Sequence, residues 1–302
     1  MKSLNRLLRA WPYLRGVARG VTRLNMRGLS RLATPADDAV VRLAGTDLRL
    51  VVNTRDVLMS KSLLWTGTYE RHVSRLILER LKPGDLAVDI GANLGYFTTV
   101  MGDRVRSGNG KLYAFEPDPG NLRLLRTNVA INALENVVEI FPVALGETAA
   151  QIYLTNLDDP NAGGRMTLDS EAEVDGHFGK DFSRTAVASI AWDEQFPDPA
   201  PVALIKIDVE GYEPRVFRGM EKTLRAHHPV ILMEFSPENI TRSGKTDPGE
   251  FMQWLFDLGY KASGIDFRTG GLYPLGSSWD ALWKFFNEHG SGDHADLLLE
   301  AR

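Results

Sequence analysis

From Leu86 to Thr98 the chain reads L-A-V-D-I-G-A-N-L-G-Y-F-T. Leu86, Ala87, Val88 and Ile90 form a short apolar run of the kind found in a strand buried on both faces of a parallel sheet. Asp89 interrupts that run just before the chain must turn. Gly91 and Gly95 allow backbone angles and a close approach that a side chain would block, and Tyr96 onward continues as a helix. Further on, Lys111 to Phe115 repeats the apolar run and ends in Glu116-Pro117. Strand, glycine-rich turn, helix and acid-tipped strand confine the chain to an α/β architecture with its ligand at the strand ends.

Such a turn receives the adenosyl end of a nucleotide-like cofactor. A dinucleotide fold asks for G-x-G-x-x-G, whose middle glycine lets the backbone touch a pyrophosphate. Asn93 stands at that middle position. S-adenosylmethionine has no phosphate, so the pattern favours it over a dinucleotide. Its methionyl carboxylate and amine suit the Asp89 carboxylate and the backbone of Gly91, Ala92, Asn93 and Gly95, with Phe97 opening the helix behind them. Glu116 is placed to accept hydrogen bonds from both ribose hydroxyls. The alternative is an ordinary tight turn with Glu116 as a solvated loop acid.

The 302 residues fit one large α/β domain with additions. The chain has no cysteine, which excludes disulfides, thiolate zinc sites and cysteine nucleophiles and fits a reducing, cytoplasmic setting. The net charge of −4 hides an asymmetry. Residues 1–36 hold Lys2, Arg6, Arg9, Arg15, Arg19, Arg23, Arg27 and Arg31 and no acid, so the remainder is net −12. An acidic body is a poor binder of nucleic acid, and none is expected as a partner. Leu4, Leu7, Leu8, Trp11 and Leu14 recur at helical spacing, so residues 1–36 read as a basic amphipathic arm, although Pro12 and Gly16, Gly20 and Gly28 weaken its helix. Three roles stay open: an arm that is docked or disordered, peripheral contact with an anionic membrane, or an organelle presequence.

Residues 37–302 read as the catalytic domain. A strand pair is expected within 39–59 around a Gly45–Asp47 turn, then a helix over 69–81. Strands are expected at 86–90, 111–115, 137–141, 203–208 and 230–235, and helices at 95–105, 119–132, 213–226 and 248–258. This alternation implies a doubly wound, mostly parallel sheet. Segment 150–192 breaks the rhythm and reads as an extra strand pair with a mobile loop. The tail reads as hairpin-like pieces near 259–275 followed by polar residues. Asp89, Glu116, Asp208 and Glu234 all fall at strand ends, where open α/β sheets bind ligands.

The stretch Ala203 to Gly211 reads A-L-I-K-I-D-V-E-G. In a strand, Lys206 and Asp208 point to one side, and a lysine in so apolar a strand needs a countercharge, from Asp208 or Glu234. Glu210-Gly211 then opens a loop where a methyl acceptor would meet the cofactor. A purely structural salt-bridge cluster is the other reading.

V-D-I-G-A-N-L-G-Y-F-T, F-E-P-D-P, V-A-L-G-E and I-K-I-D-V-E-G-Y-E, in this order and spacing, resemble the FkbM-type family of S-adenosylmethionine-dependent methyltransferases. The similarity covers roughly residues 65–235, including W-T-G-T-Y-E from Trp65 to Glu70. It implies a Rossmann-like class I methyltransferase fold, a seven-stranded sheet with an antiparallel C-terminal strand, and O-methylation of a hydroxyl on a sugar, glycan or natural-product scaffold. By the same resemblance Asp89, Gly91, Asn93 and Gly95 hold the methionyl end, Glu116 the ribose, and Ala144-Leu145 the adenine edge. Tyr69 and Glu70 cover the methionyl end, and Asp208 and Glu210 form the acidic motif. Ala191-Trp192-Asp193 departs from the more usual Leu-Asp, and the bulkier Trp192 is expected to reshape the acceptor wall.

These residues predict in-line methyl transfer, with Asp208, or second Glu210, taking or orienting the acceptor proton and Lys206 keeping the neighbouring carboxylate ionised. Asp208, Glu210 and Glu234 holding a divalent cation is the alternative. Non-enzymatic cofactor binding and a dinucleotide oxidoreductase are the competing classes. Of the histidines, His227-His228 read as helix-end residues, His72 as a surface helix position that is local to the site or merely exposed, and His177, His289 and His294 as members of irregular polar stretches.

Overall fold

Eight strands form the central sheet of the protein, known here from a computed structural model that describes residues 38–56, 59–157, 166–169, 182–198 and 200–301. The basic arm, residues 1–36, lies outside the described residues. The first two strands, β1 (Asp38–Arg42) and β2 (Arg49–Asn53), form the expected separate pair. Helices α1 (Met59–Thr66) and α2 (Arg71–Arg80) lead to β3 (Leu86–Ile90), buried along its whole length as an interior parallel strand must be. The core then alternates through α3 (Tyr96–Val105), β4 (Lys111–Phe115), α4 (Pro119–Ile131) and β5 (Val138–Phe141).

Four further strands, β6 (Ala144–Leu145), β7 (Ala150–Leu157), β8 (Met166–Asp169) and β9 (Phe182–Ile190), form a second sheet in the order β6-β9-β7-β8. The extra strand pair expected in 150–192 is thus three strands joined to β6, and the loop expected there falls largely outside the described residues. A single turn, α5 (Trp192–Gln195), returns the chain to β10 (Val202–Ile207).

The helix expected over 213–226 is instead two, α6 (Glu213–Arg218) and α7 (Glu221–His227). At the break, a Cβ on Gly219 would lie 2.0 Å from the Gly146 carbonyl oxygen, so the backbones meet there. The second helix restarts on a cap from a distant residue. Asp193 accepts from the Lys222 and Thr223 amides, at 2.7 and 3.2 Å, and from Thr223 Oγ1 at 2.7 Å.

After β11 (Val230–Phe235) come α8 (Pro248–Asp257), β12 (Tyr260–Ile265) and β13 (Leu272–Gly276), the last two an antiparallel hairpin as expected. The remaining tail is not merely polar. It forms α9 (Trp279–His289) and β14 (Ala295–Ala301), and β14 inserts antiparallel between β11 and β12. The sheet order is β13-β12-β14-β11-β10-β3-β4-β5. That is the expected Rossmann-like sheet with its antiparallel C-terminal strand, extended from seven strands to eight by β13 at the edge.

The β1–β2 pair is tied to the core by Asn128 of α4 and by Asn132, which caps the end of that helix. Asn128 accepts from the Val51 amide at 2.6 Å and donates to the Val51 and Leu94 carbonyls at 3.0 and 2.7 Å. Asn132 exchanges hydrogen bonds with the Arg49 backbone at 2.9 and 2.7 Å. The same Asn128 amide therefore links the strand pair to the glycine-rich turn.

Candidate active site

Chain reversal at the end of β3 builds one wall of the site. The Gly91 and Ala92 amides both donate to the Phe115 carbonyl, each at 3.0 Å, which folds the turn over the tip of β4. Gly91 has φ +79°, and a Cβ there would lie 2.0 Å from the Asp208 carbonyl oxygen. The turns after β3 and β10 thus pass in backbone contact, which only glycine permits. Asn93 is left-handed at φ 53°, a conformation asparagine tolerates, and its Oδ1 accepts from the Leu94 amide at 2.7 Å. Both Glu116 oxygens are engaged, Oε2 by the Asn93 amide at 2.7 Å and Oε1 by the Asp118 amide at 2.8 Å. Glu116 is buried, and burial pushes its proton affinity up to about 7 despite these bonds.

The opposite wall is electrostatic. Lys206 is 2 % exposed and lies level with Asp89 in the β10–β3 register. Its Nζ is 3.6 Å from Asp208 Oδ2 and 5.0 Å from the centre of the Phe97 ring. Burial lowers its proton affinity, but the carboxylates of Asp208, Glu70, Asp296 and Asp89 outweigh burial and hold it charged. Asp89, also buried, accepts from Thr98 Oγ1 at 2.5 Å, and burial raises it to about 6. Asp89 and Phe97 were both expected against the cofactor; both also line the Lys206 ammonium.

Tyr69 and Glu70 close this wall. Glu70 adopts φ 35°, unusual for a side chain with a Cβ, and its Oε2 is buried without a hydrogen-bond partner. Tyr69 packs edge-on against Tyr96 and Phe97, with ring centres 5.9 and 6.4 Å apart. Burial first, then the neighbouring acids, raises the proton affinity of Tyr69 and Glu70, although Lys206 opposes the shift at Glu70.

The rim of β10, β11 and β14 carries the acids. Asp208 is the more open, with 29 % of its side chain exposed. Glu234 lies opposite Asp296 across the β11–β14 ladder. Burial, together with Asp208 and Glu210, raises the proton affinity of Glu234; burial also raises Asp296, opposed by Lys206 and His294. Glu210 is left-handed at φ 53° and accepts from Asn239 Nδ2 at 3.1 Å. The structure thus gathers Glu70, Asp89, Asp208 and Glu234 around the Lys206 ammonium. Ala144 is placed apart from that cluster, buried in β6 and paired with Ser189 of β9.

Three participants escaped sequence reasoning. Asp296 and His294 reach the rim because β14 runs antiparallel, so its start, not its end, lies beside the other strand tips. His294, expected in an irregular polar stretch, is 3.8 Å from Glu234. Glu213 is buried under the β10 loop, with Oε1 accepting from the Val209 amide at 3.0 Å, and burial raises it to about 7. Its position three residues past Glu210, at the start of a helix, was the available signal. His289 sits in α9 beside Asp266, at 3.2 Å, rather than in an irregular stretch. His228 caps the end of α7 as expected.

Trp192 does not shape an acceptor wall. It is fully buried, packs against Phe196 and Phe115 in the core, and donates from Nε1 to Thr223 Oγ1 at 2.9 Å. The divalent cation finds no support either. Among the described residues no three His, Asp or Glu side chains converge as metal ligands, and Lys206 supplies the positive charge these acids face.

Comparison with known proteins places the chain in a family. The family profile described as "Methyltransferase FkbM domain" matches residues 89–262. The chain is 28 % identical over 170 residues to "Methyltransferase sdnD" of Sordaria araneosa, covering 48 % of this chain and 64 % of that protein. It is 25 % identical over 182 residues to "Hexuronic acid methyltransferase AglP" of Haloferax volcanii, covering 57 % of this chain and 66 % of that one. The match therefore spans just under two thirds of the length of these relatives. A crystal structure of "Methyltransferase FkbM" from Methylobacillus flagellatus aligns with TM-score 0.44 and 15 % identity, over 72 % of this chain and 43 % of that one. The chain belongs to the methyltransferase FkbM domain family.

Proposed function

We propose that this protein is an S-adenosylmethionine-dependent O-methyltransferase acting on a hydroxyl of a sugar, glycan or natural-product acceptor. The observation that carries this reading is the backbone contact of the turns after β3 and β10, which puts the Glu116-braced turn and the Lys206–Asp208 strand end on one rim. The residues fit the cofactor. Gly91 and Gly95 keep the turn free of side chains, Glu116 offers a carboxylate toward a ribose, and Glu70 holds a buried oxygen without a partner. Gly91, Ala92, Asn93, Gly95 and Asp89 would hold the methionyl end, Glu116 the ribose and Ala144 the adenine edge.

When bound, S-adenosylmethionine supplies an electrophilic methyl group. The chain's own residues orient the acceptor oxygen, and Asp208, open enough to meet a ligand, takes or directs the hydroxyl proton. Lys206 steadies the charge of the acids around it, and Tyr69, Tyr96 and Phe97 exclude water on one side. Support for a sugar acceptor comes from the Haloferax relative, a hexuronic acid methyltransferase by name.

The test is calorimetry with S-adenosylmethionine and with NAD, followed by transfer of a labelled methyl group to a panel of hydroxylated acceptors. Binding of the former alone, with acceptor-dependent label transfer, is the expected result. Binding without transfer across the panel would favour a cofactor-binding module, and NAD binding would overturn the assignment.

A further inference from the structure

After β11 the chain makes a helical turn, Pro237–Asn239, and then a π-helical turn, Ile240–Gly244, that carries Arg242. Single-turn π segments are rare and are frequently found at functional sites. Arg242 Nη2 donates to Asn239 Oδ1 at 2.6 Å, and Asn239 Nδ2 donates to Glu210 Oε2 at 3.1 Å. Two hydrogen bonds therefore tie this guanidinium to the loop that leaves Lys206 and Asp208. Backbone contact fixes the arrangement. A Cβ on Gly211 would lie 2.2 Å from the Asn239 carbonyl, and one on Gly244 2.6 Å from the Gly211 oxygen.

Arg242 is nonetheless unsatisfied. Its Nε is buried without a hydrogen-bond partner, and no carboxylate among the described residues pairs with it. Several other arginines are matched: Arg80 with Glu300, Arg106 with Asp103 and Arg225 with Glu221, while Arg218 stacks on Trp254. A buried donor left unpaired loses its hydration without a bond in return. Lys206 is held by the acids around it, whereas Arg242 has no carboxylate partner among the described residues. A planar guanidinium is matched best by a carboxylate.

The geometry points to Arg242 as the residue that receives a carboxylate carried by the methyl acceptor, which makes the acceptor an acidic sugar or another carboxylate-bearing hydroxy compound. This rests on the proposed methyl-transfer site and names its substrate class. The test is calorimetric titration of the full chain, saturated with S-adenosylhomocysteine, with methyl glucuronoside and with methyl glucoside. The glucuronoside should bind at least tenfold more tightly. Arg242→Gln, which can still donate to Asn239, should erase the difference while leaving S-adenosylhomocysteine affinity and the melting temperature unchanged. Arg242→Lys, which keeps the charge but not the fork, should retain part of it. Equal binding of the two probes, no binding of the glucuronoside, or a preference that survives Arg242→Gln would overturn the inference. Failure of S-adenosylhomocysteine itself to bind would instead remove the methyltransferase reading beneath it.

Discussion

Asp208 and Lys206 divide their labour by exposure: the lysine is sealed under Phe97, and the carboxylate reaches the open rim. Asp208→Asn should therefore leave cofactor affinity within about twofold and lower turnover by about a hundredfold or more, the usual worth of a positioned proton acceptor. Single-turnover methyl transfer beside calorimetric binding checks it, and unchanged turnover would sink the assignment. Glu116 gives a pH prediction. Its proton affinity is raised from 4.5 to about 7 in the folded protein, so the native state binds more protons than the unfolded chain between those values. Its contribution is fully present below pH 4.5 and is lost as pH rises through 7. Glu116→Gln should flatten that part of the stability profile, a change on the order of 1–3 kcal/mol, read from urea melts at pH 5 and pH 8.

Among the elements, the β1–β2 pair hangs on α4 through asparagine amides. Asn128→Ala would orphan the Leu94 carbonyl and the backbone of Val51 together. A loss of about 2–3 kcal/mol is expected, seen as a melting temperature lower by about 5–10 °C. Because Leu94 belongs to the glycine-rich turn, cofactor affinity should weaken as well, and a variant with lowered stability but intact affinity would show the turn to be independent of the pair. Element boundaries in the core were legible because strands such as β3 and β4 are short, mostly apolar runs ending at a glycine or an acid, as at Ile90-Gly91 and Phe115-Glu116. The break between α6 and α7 was not, because its causes, Gly146 and Asp193, lie far away in sequence. The edge strand β13 was legible only as a piece of the hairpin near 259–275, and its place as an eighth strand was not, since its residues are largely exposed and carry little pattern.

At the scale of the whole chain, charge separates a basic segment, residues 1–36, from an acidic remainder. Of the three roles open to that segment, we propose peripheral contact with an anionic membrane surface. Full-length protein should cosediment with phosphatidylserine vesicles and release at high salt, whereas a chain lacking residues 1–36 should stay in the supernatant; equal behaviour of both would end the assignment. No helix among the described residues is long and apolar enough to cross a membrane. What the sequence determined by itself is whatever local pattern encodes: the alternating elements, the turn that requires Gly91, and the acids at the tips of parallel strands. Only the tertiary structure decided the rest. The antiparallel insertion of β14 brings Asp296 and His294 to the rim, the core claims Trp192, and the π-turn sets Arg242 beside Glu210. Each of these depends on contacts between residues distant in sequence, and a contact made across the fold leaves no periodicity in the chain that makes it.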